Sequence, residues 1–194
     1  MKKLFLSIVI IVFTIVSLNA QASFGAKAGV NFSNLSEDDM DWKSKTGFNI
    51  GLFVEVEISD LLFFQPEILF STQGAKIEES GAELKINTSV VNIPLMIKYK
   101  AAEKFYIEAG PQIGFLTKAE MEFTYDGVSG TEDVKDDAKS IDFSLNFGLS
   151  IDVIESLFVG ARYSFGLSNI SDDKEDPTDI KASNISIMVG YRFN

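Results

Sequence analysis

The stretch from Ile141 to Asp152, IDFSLNFGLSID, decides the fold. Its odd-numbered residues are apolar, and its even-numbered residues are small, polar or charged. Because successive side chains of a β-strand point to opposite faces, this period of two predicts a strand with one apolar face and one polar face. The stretch is also long enough to cross a bilayer, which takes a tilted strand of about 9 to 11 residues.

The same alternation recurs along the chain in both directions from this stretch. The eight predicted strands are 24–34, 47–58, 62–75, 91–99, 105–117, 141–152, 157–168 and 185–193. Short links at 59–61, 101–104 and 153–156 alternate with longer polar links at 35–46, 77–83, 126–138 and 171–180. Short turns at one end and long loops at the other are typical of a transmembrane β-barrel. Pro66, Pro94 and Pro111 lie inside predicted strands, so a bulge or a local widening is expected near each.

Charged residues inside the predicted strands test the phase that the apolar residues set. All of them fall on the polar face, which random placement would give about once in a thousand times, since a one-residue slip flips every side chain. The ten residues are Lys27, Glu55, Glu57, Glu67, Lys98, Glu108, Asp142, Asp152, Arg162 and Arg192. If this face lines a narrow lumen, the charges must form ion pairs there to offset their desolvation. The pattern predicts a plug of ion pairs, with a narrow charge-lined pore as the alternative.

Composition indicates which face meets lipid. A water-soluble barrel of the lipocalin type would show the same alternation with its apolar face inward. Here the polar face is rich in Gly, Ser, Asn and Gln, which suit the crowded interior of an eight-stranded barrel. The other face carries branched and aromatic residues, which would leave a soluble protein covered with exposed apolar patches. We therefore predict an all-β protein, an eight-stranded antiparallel up-and-down transmembrane β-barrel.

The N-terminus resembles a secretory signal peptide. Lys2 and Lys3 precede an apolar run at 4–18, and Ala20-Gln21-Ala22 has the pattern of a cleavage site. The run of about 15 residues is shorter than the roughly 18 to 20 that a membrane-spanning helix needs. We expect residues 1–22 to be removed and residues 23–194 to form one barrel domain in the outer membrane of a Gram-negative cell.

Composition also excludes several classes of activity. The chain has no Cys and no His, so thiolate catalysis, Cys-based zinc sites and histidine acid–base chemistry are absent. A formal net charge of -11 argues against nucleic acid as a partner. Acidic residues cluster in the long links at 37–41, 132–137 and 172–179 without the regular spacing of a calcium loop. We predict no enzyme activity, no cofactor and no resident metal, with weak divalent binding by these links as the alternative.

Six stretches together resemble the PorT-like outer-membrane β-barrel proteins. They are GAKAGVNFS (25–33), QPEILFSTQG (65–74), NIPLMIKY (92–99), YIEAGPQIG (106–114), ARYSFGLSNI (161–170) and GYRF (190–193). The resemblance implies an outer-membrane location and eight strands, but no activity. In one departure, Asn194 follows Phe193, so the aromatic residue that the assembly machinery recognises is displaced by one position.

The expected partners are outer-membrane lipid, the barrel-assembly machinery during insertion, and an envelope protein of unknown identity. The predicted function is a structural or interaction role through the extracellular loops. The alternative is a narrow pore, or an accessory component of an outer-membrane secretion or uptake assembly.

Overall fold

The computed structural model describes residues 22–36, 42–79, 82–125, 127–170 and 180–193. Residues 1–21 of the predicted signal peptide lie outside these ranges. The strands are β1 (Ala22–Ser36), β2 (Lys43–Ser59), β3 (Leu62–Glu79), β4 (Ala82–Ala102), β5 (Phe105–Tyr125), β6 (Val128–Asp133), β7 (Ile141–Ile154), β8 (Leu157–Gly166) and β9 (Lys181–Phe193). A 3-10 turn, Lys135–Asp137, follows β6. None of the described residues belongs to a helix that is long and apolar enough to span a membrane.

Eight of the strands close into a ring in which every neighbouring pair is antiparallel. The order around the ring is β1, β2, β3, β4, β5, β7, β8 and β9, and β9 pairs back onto β1. The closing ladder runs from the pair Phe24 and Phe193 to the pair Ser36 and Lys181. The ring confirms the predicted eight-stranded up-and-down barrel.

Burial alternates along the ring strands as the sequence pattern predicts. In β9, Asn184, Ser186 and Arg192 are buried, while Ile185 and Ile187 between them are about half exposed. The outward side chains form an apolar coat, and the inward ones form a polar core. The ring is therefore inverted relative to a water-soluble protein, as expected where the outer solvent is lipid.

The prolines widen the ladders without shifting them. Pairs are missing beside Pro66 between β2 and β3, beside Pro94 between β3 and β4, and beside Pro111 between β4 and β5. The register is the same on both sides of each gap. Local widening is therefore the consequence of the missing proline N–H groups, and bulges form elsewhere, for example at Ser89 and Val90.

Strands β3, β4 and β5 continue far beyond the ring at the long-link end. Strands β4 and β5 have 21 residues each, about twice the length that crosses a bilayer. The predicted long link at 77–83 is instead a hairpin, in which Glu79 pairs with Ala82. The predicted link at 126–138 contains β6, a strand outside the ring that pairs with β5. We call residues 75–79, 82–88, 118–125 and 128–133 the outer extension.

Candidate functional site

The ten predicted lumen charges are spread over all eight strands of the ring, and eight of them meet in two clusters. The upper quartet consists of Lys27, Glu67, Glu108 and Arg162, and it is almost fully buried. Arg162 donates both Nη atoms to Glu67 at 2.9 Å, and its Nε and Nη2 donate to Glu108 Oε1 at 2.9 and 2.6 Å. Lys27 Nζ lies 2.5 Å from Glu67 Oε1, which also accepts a bond from Gln65 at 2.7 Å. Two cations and two anions make this cluster electroneutral.

The lower quartet consists of Glu55, Lys98, Asp152 and Arg192, and it lies nearer the short turns. The ammonium of Lys98 donates to Glu55. Arg192 donates its Nε to Glu55 Oε1 and its Nη1 to Asp152 Oδ1, both at 3.0 Å, and Nη1 also donates to the Glu155 carbonyl at 3.0 Å. This cluster is also electroneutral, which reduces the desolvation cost of burying four charges in a narrow lumen.

Aromatic rings fill the space around the lower quartet. Phe53 and Phe158 meet edge to face, with ring centroids 5.6 Å apart. Lys98 Nζ lies 4.8 Å from the Tyr106 ring centroid and 5.3 Å from that of Phe158, and the Arg192 guanidinium lies 4.9 Å from Phe158. These cation–π contacts add to the ion pairs, because both cations are withdrawn from water.

Inward glycines make room for the rings. A Cβ on Gly25 would lie 2.2 Å from Phe53 Cζ, and a Cβ on Gly190 would lie 2.1 Å from Phe158 Cζ. No side chain fits at either position while the ring stays in place. The lower lumen is therefore packed to contact, with aromatic rings lying directly on backbone.

Above the upper quartet, uncharged amides and hydroxyls cross-link the lumen. Asn31 donates to Ser71 at 2.8 Å, Asn146 donates to Gln112 at 3.1 Å, and Gln112 donates to Asn92 at 3.1 Å. The amide layer encloses a cavity of about 20 Å³. One water molecule occupies about 10 to 15 Å³ on this measure, so the cavity is far smaller than a channel.

Glu57 and Asp142 lie apart from the two quartets. Glu57 is half-buried near the short turns, opposite Phe63, and Asp142 is half-buried near the long-link end. Asp142 accepts a hydrogen bond from Ser144 Oγ at 3.1 Å. Within the described ranges neither carboxylate has a lysine or arginine nitrogen within ion-pairing distance.

Sequence reasoning did not single out Tyr106, Phe158 or Gln65 as members of the clusters. The signal was present, because each of the three lies on the polar face of its strand by the same alternation. Only the charged residues of that face were followed into the lumen, although a ring beside an inward glycine fits there equally well.

The alternative of weak divalent binding concerns three acidic clusters in the long links. The acidic clusters at 37–41 and 172–179 lie outside the described residues. Within the described part of the chain, no group of three or more acidic side chains is arranged to hold a metal ion.

Comparisons with known proteins place the fold. The model of the family described as "outer membrane protein beta-barrel domain" matches residues 19–172. Among solved structures, the attachment invasion locus protein Ail of Yersinia pestis has a TM-score of 0.55 at 16% identity, covering 89% of this chain and 99% of Ail. Neisserial surface protein A has a TM-score of 0.53 at 15% identity, with the same coverage of 89% and 99%. No curated protein matches the sequence.

These similarities agree on an integral outer-membrane barrel in contact with membrane lipid. At 15% and 16% identity the solved structures are evidence for the fold alone. The family that matches is broader than the PorT-like group that the sequence resembles. The family match covers most of the sequence, and its membership fixes the location as the Gram-negative outer membrane. The chain belongs to the family of outer membrane protein β-barrel domains.

Proposed function

We propose that the protein is a non-conducting outer-membrane barrel, without catalytic activity, that acts through the strands and links projecting beyond the membrane. The observation that carries this proposal is the pair of electroneutral quartets across the lumen. The eight charges of the quartets are already paired, so an ion that enters the lumen would have to compete with existing ion pairs.

Packing below the upper quartet supports the same proposal. Met96 and Lys98 are fully buried, and Phe53 and Phe158 are only 2% and 4% exposed. A permeation path through this region would require these side chains to move together. The packed rings and ion pairs oppose that movement, because interiors at crystal-like density do not deform continuously.

The outer extension supports the interaction role. Its outward face carries charged and hydroxyl side chains on four adjacent strands, and register aligns Lys76, Lys85, Glu122 and Thr131 in one row. A barrel that only spanned the membrane would need none of these residues. Strands of this length build a water-exposed surface on a rigid base, the arrangement in which binding residues are commonly found.

Planar-bilayer recording tests the non-conducting proposal. Purified wild-type protein should insert without stepwise currents. A double variant, Phe53→Ala with Phe158→Ala, removes the two rings of the lower lumen and should give measurable conductance, which shows that the assay detects an opened barrel. Stepwise currents from the wild-type protein would overturn the proposal and favour the alternative of a narrow charge-lined pore.

Affinity capture from crosslinked outer membranes tests the interaction role and the alternative of an accessory subunit. The full-length barrel should recover a partner protein that a variant lacking residues 76–85 and 122–131 fails to recover. Recovery of the barrel alone would count against both ideas. Recovery of the barrel-assembly machinery during synthesis only would identify an insertion partner and not a functional one.

We also propose that residues 1–22 are a signal peptide removed on export, and that the chain is a PorT-like member of its family. The charged, apolar and small-residue regions of 1–22 support the first proposal. N-terminal sequencing of protein purified from outer membranes should begin at Ser23. A sequence beginning at Met1 would contradict cleavage.

A further inference from the structure

A second cavity lies at the mouth of the barrel, above the amide layer. Its volume is about 70 Å³. That is about five times the 10 to 15 Å³ needed by one water, and roughly the space of a six-carbon ring. In contrast to the polar lumen below, its walls are largely apolar and include Leu35, Ile86, Val90, Leu116, Ile170 and Ala182.

Hydrogen bonds fix the walls of this mouth cavity. Lys139 N donates to the Ile170 carbonyl at 2.9 Å, and Leu116 N donates to the Ser140 carbonyl at 3.0 Å. On the opposite side, Ser33 Oγ donates to the Gly74 carbonyl at 2.9 Å and accepts from Gly74 N at 2.8 Å. These hydrogen bonds hold strands β1, β3 and β5 and the links at 139–140 and 170 in place around the cavity. The shape of the cavity is therefore largely preformed.

Asp142 also lines the mouth cavity. Its carboxylate accepts a hydrogen bond from the Ser144 hydroxyl, and in the described ranges no lysine or arginine nitrogen lies within 4.0 Å of it. The quartet carboxylates each meet a guanidinium or an ammonium, so Asp142 differs from them in lacking a cation. A carboxylate beside apolar walls is stabilised by a positive charge that enters with an apolar body.

We propose that the mouth cavity binds a small organic cation with a compact apolar body and a protonated amine. The ammonium would donate hydrogen bonds to Asp142, and the body would contact the apolar walls. The net charge of -11, with the acidic residues of the described link at 132–137, concentrates cations near the opening. This inference goes beyond the proposed function and does not depend on it, because the cavity lies above the amide layer and needs no open lumen.

Lys139 lines the cavity as well and gives the proposal a second test. An ammonium ligand and Lys139 carry the same charge, so Lys139 opposes binding of the cation. Removing its charge should strengthen binding, and removing the Asp142 charge should weaken it. A site built for an anion would respond to the two substitutions with the opposite signs.

Calorimetric titration of the full barrel in lipid nanodiscs tests the proposal with three probes that share a cyclohexyl ring and differ in their polar group. These are cyclohexylammonium, cyclohexanol and cyclohexanecarboxylate, and empty nanodiscs correct for partition into lipid. Cyclohexylammonium should bind about tenfold more tightly than cyclohexanol, because a charge-assisted hydrogen bond is about twice as strong as a neutral one. Asp142→Asn should abolish that preference, and Lys139→Gln should raise cyclohexylammonium affinity by about threefold.

Ala138→Leu provides the control for the apolar walls, because residue 138 lines the cavity from a link and not from a ring strand. It should weaken the ammonium and the alcohol alike by filling the space. Equal affinity of the three probes for the wild-type protein would overturn the proposal. An Asp142→Asn variant that still prefers cyclohexylammonium to cyclohexanol would also overturn it. So would a wild-type protein that binds cyclohexanecarboxylate most tightly and a Lys139→Gln variant that no longer binds it.

Discussion

Strands β3, β4 and β5 run without a break from the ring into the outer extension, yet the polarities of the two regions are opposite. In the ring, outward Phe143 is 51% exposed and inward Ser144 is buried. In the extension, Ile77 pairs with Leu84 and Ile86 pairs with Met121 on the face that continues the lumen. The opposite face of the extension carries lysines and acids. Strand geometry is the same in both regions, so the solvent on each side accounts for the change.

Charges behave differently in the two regions for the same reason. Ring charges face a narrow, densely packed lumen, and the eight quartet members satisfy one another. The Lys118–Glu120 pair of the extension has an N–O distance of 2.7 Å, but its side chains are 59% and 29% exposed. Ion pairs with similar N–O distances therefore differ in energy. Losing one partner is costly in the buried ring, whereas the exposed pair of the extension contributes little.

The largest expected effect comes from removing a cation from the ring. Arg162→Met leaves Glu67 and Glu108 with only Lys27 as a counter-ion, so the free energy of unfolding should fall by about 3 to 5 kcal/mol. Lys118→Met removes the exposed cation of the extension and should cost less than about 1 kcal/mol. Reversible denaturant unfolding in phospholipid vesicles measures both. Equal costs would show that the quartet is not a mutually dependent unit.

The next effect compares two positions on the outward face at different heights. Leu145→Arg places a charge against the hydrocarbon and should cost about 2 to 4 kcal/mol of unfolding free energy. Thr131→Arg lies on the outward face of the extension and should change it by less than about 0.5 kcal/mol. The same unfolding assay applies to both. A similar penalty at the two positions would place the extension inside the membrane.

Much of the ring could be predicted from the sequence, because lipid outside and a crowded lumen inside impose one strict alternation. That alternation placed Lys27, Arg162 and their partners on one face. It could not pair them, because partners such as Glu67 and Arg162 are 95 residues apart and the tilt of the strands decides which side chains meet.

The outer extension could not be predicted from the same pattern. The register shift at Ser89 and Val90 changes the phase of β4 against β5, so a single alternation does not run through both halves. Above that point the apolar face becomes the inner one, as expected where the outer solvent changes from lipid to water. The segment 77–83 was therefore predicted to be a polar link. The mouth cavity could not be predicted either, because its walls come from residues below and above this register shift.

A smaller effect tests how tightly the lower lumen is packed. Gly190→Ala puts a methyl group 2.1 Å from Phe158 Cζ and should cost about 1 to 3 kcal/mol, since the ring must shift against the quartet. Gly160→Ala is the matched control, because its Cβ would meet the Leu149 carbonyl at 3.1 Å and needs a displacement of only a few tenths of an ångström. Vesicle unfolding should separate the two variants. A harmless Gly190→Ala would mean that the lower lumen has spare room.

The smallest expected effect is confined to the extension. The Phe123 ring lies over Gly130 of β6, where a Cβ would meet Phe123 Cζ at 2.2 Å. Phe123→Ser should uncover β6 and speed its amide hydrogen exchange about fivefold, a change of about 1 kcal/mol, while amides of the ring strands stay protected. Thr124→Ser, on the opposite face, keeps the hydroxyl that lies 3.0 Å from Ser129 Oγ and should leave exchange unchanged. If Phe123→Ser also speeds exchange throughout the ring, the two regions unfold together. If the exchange of β6 is unchanged, its pairing with β5 is independent of the inner apolar face.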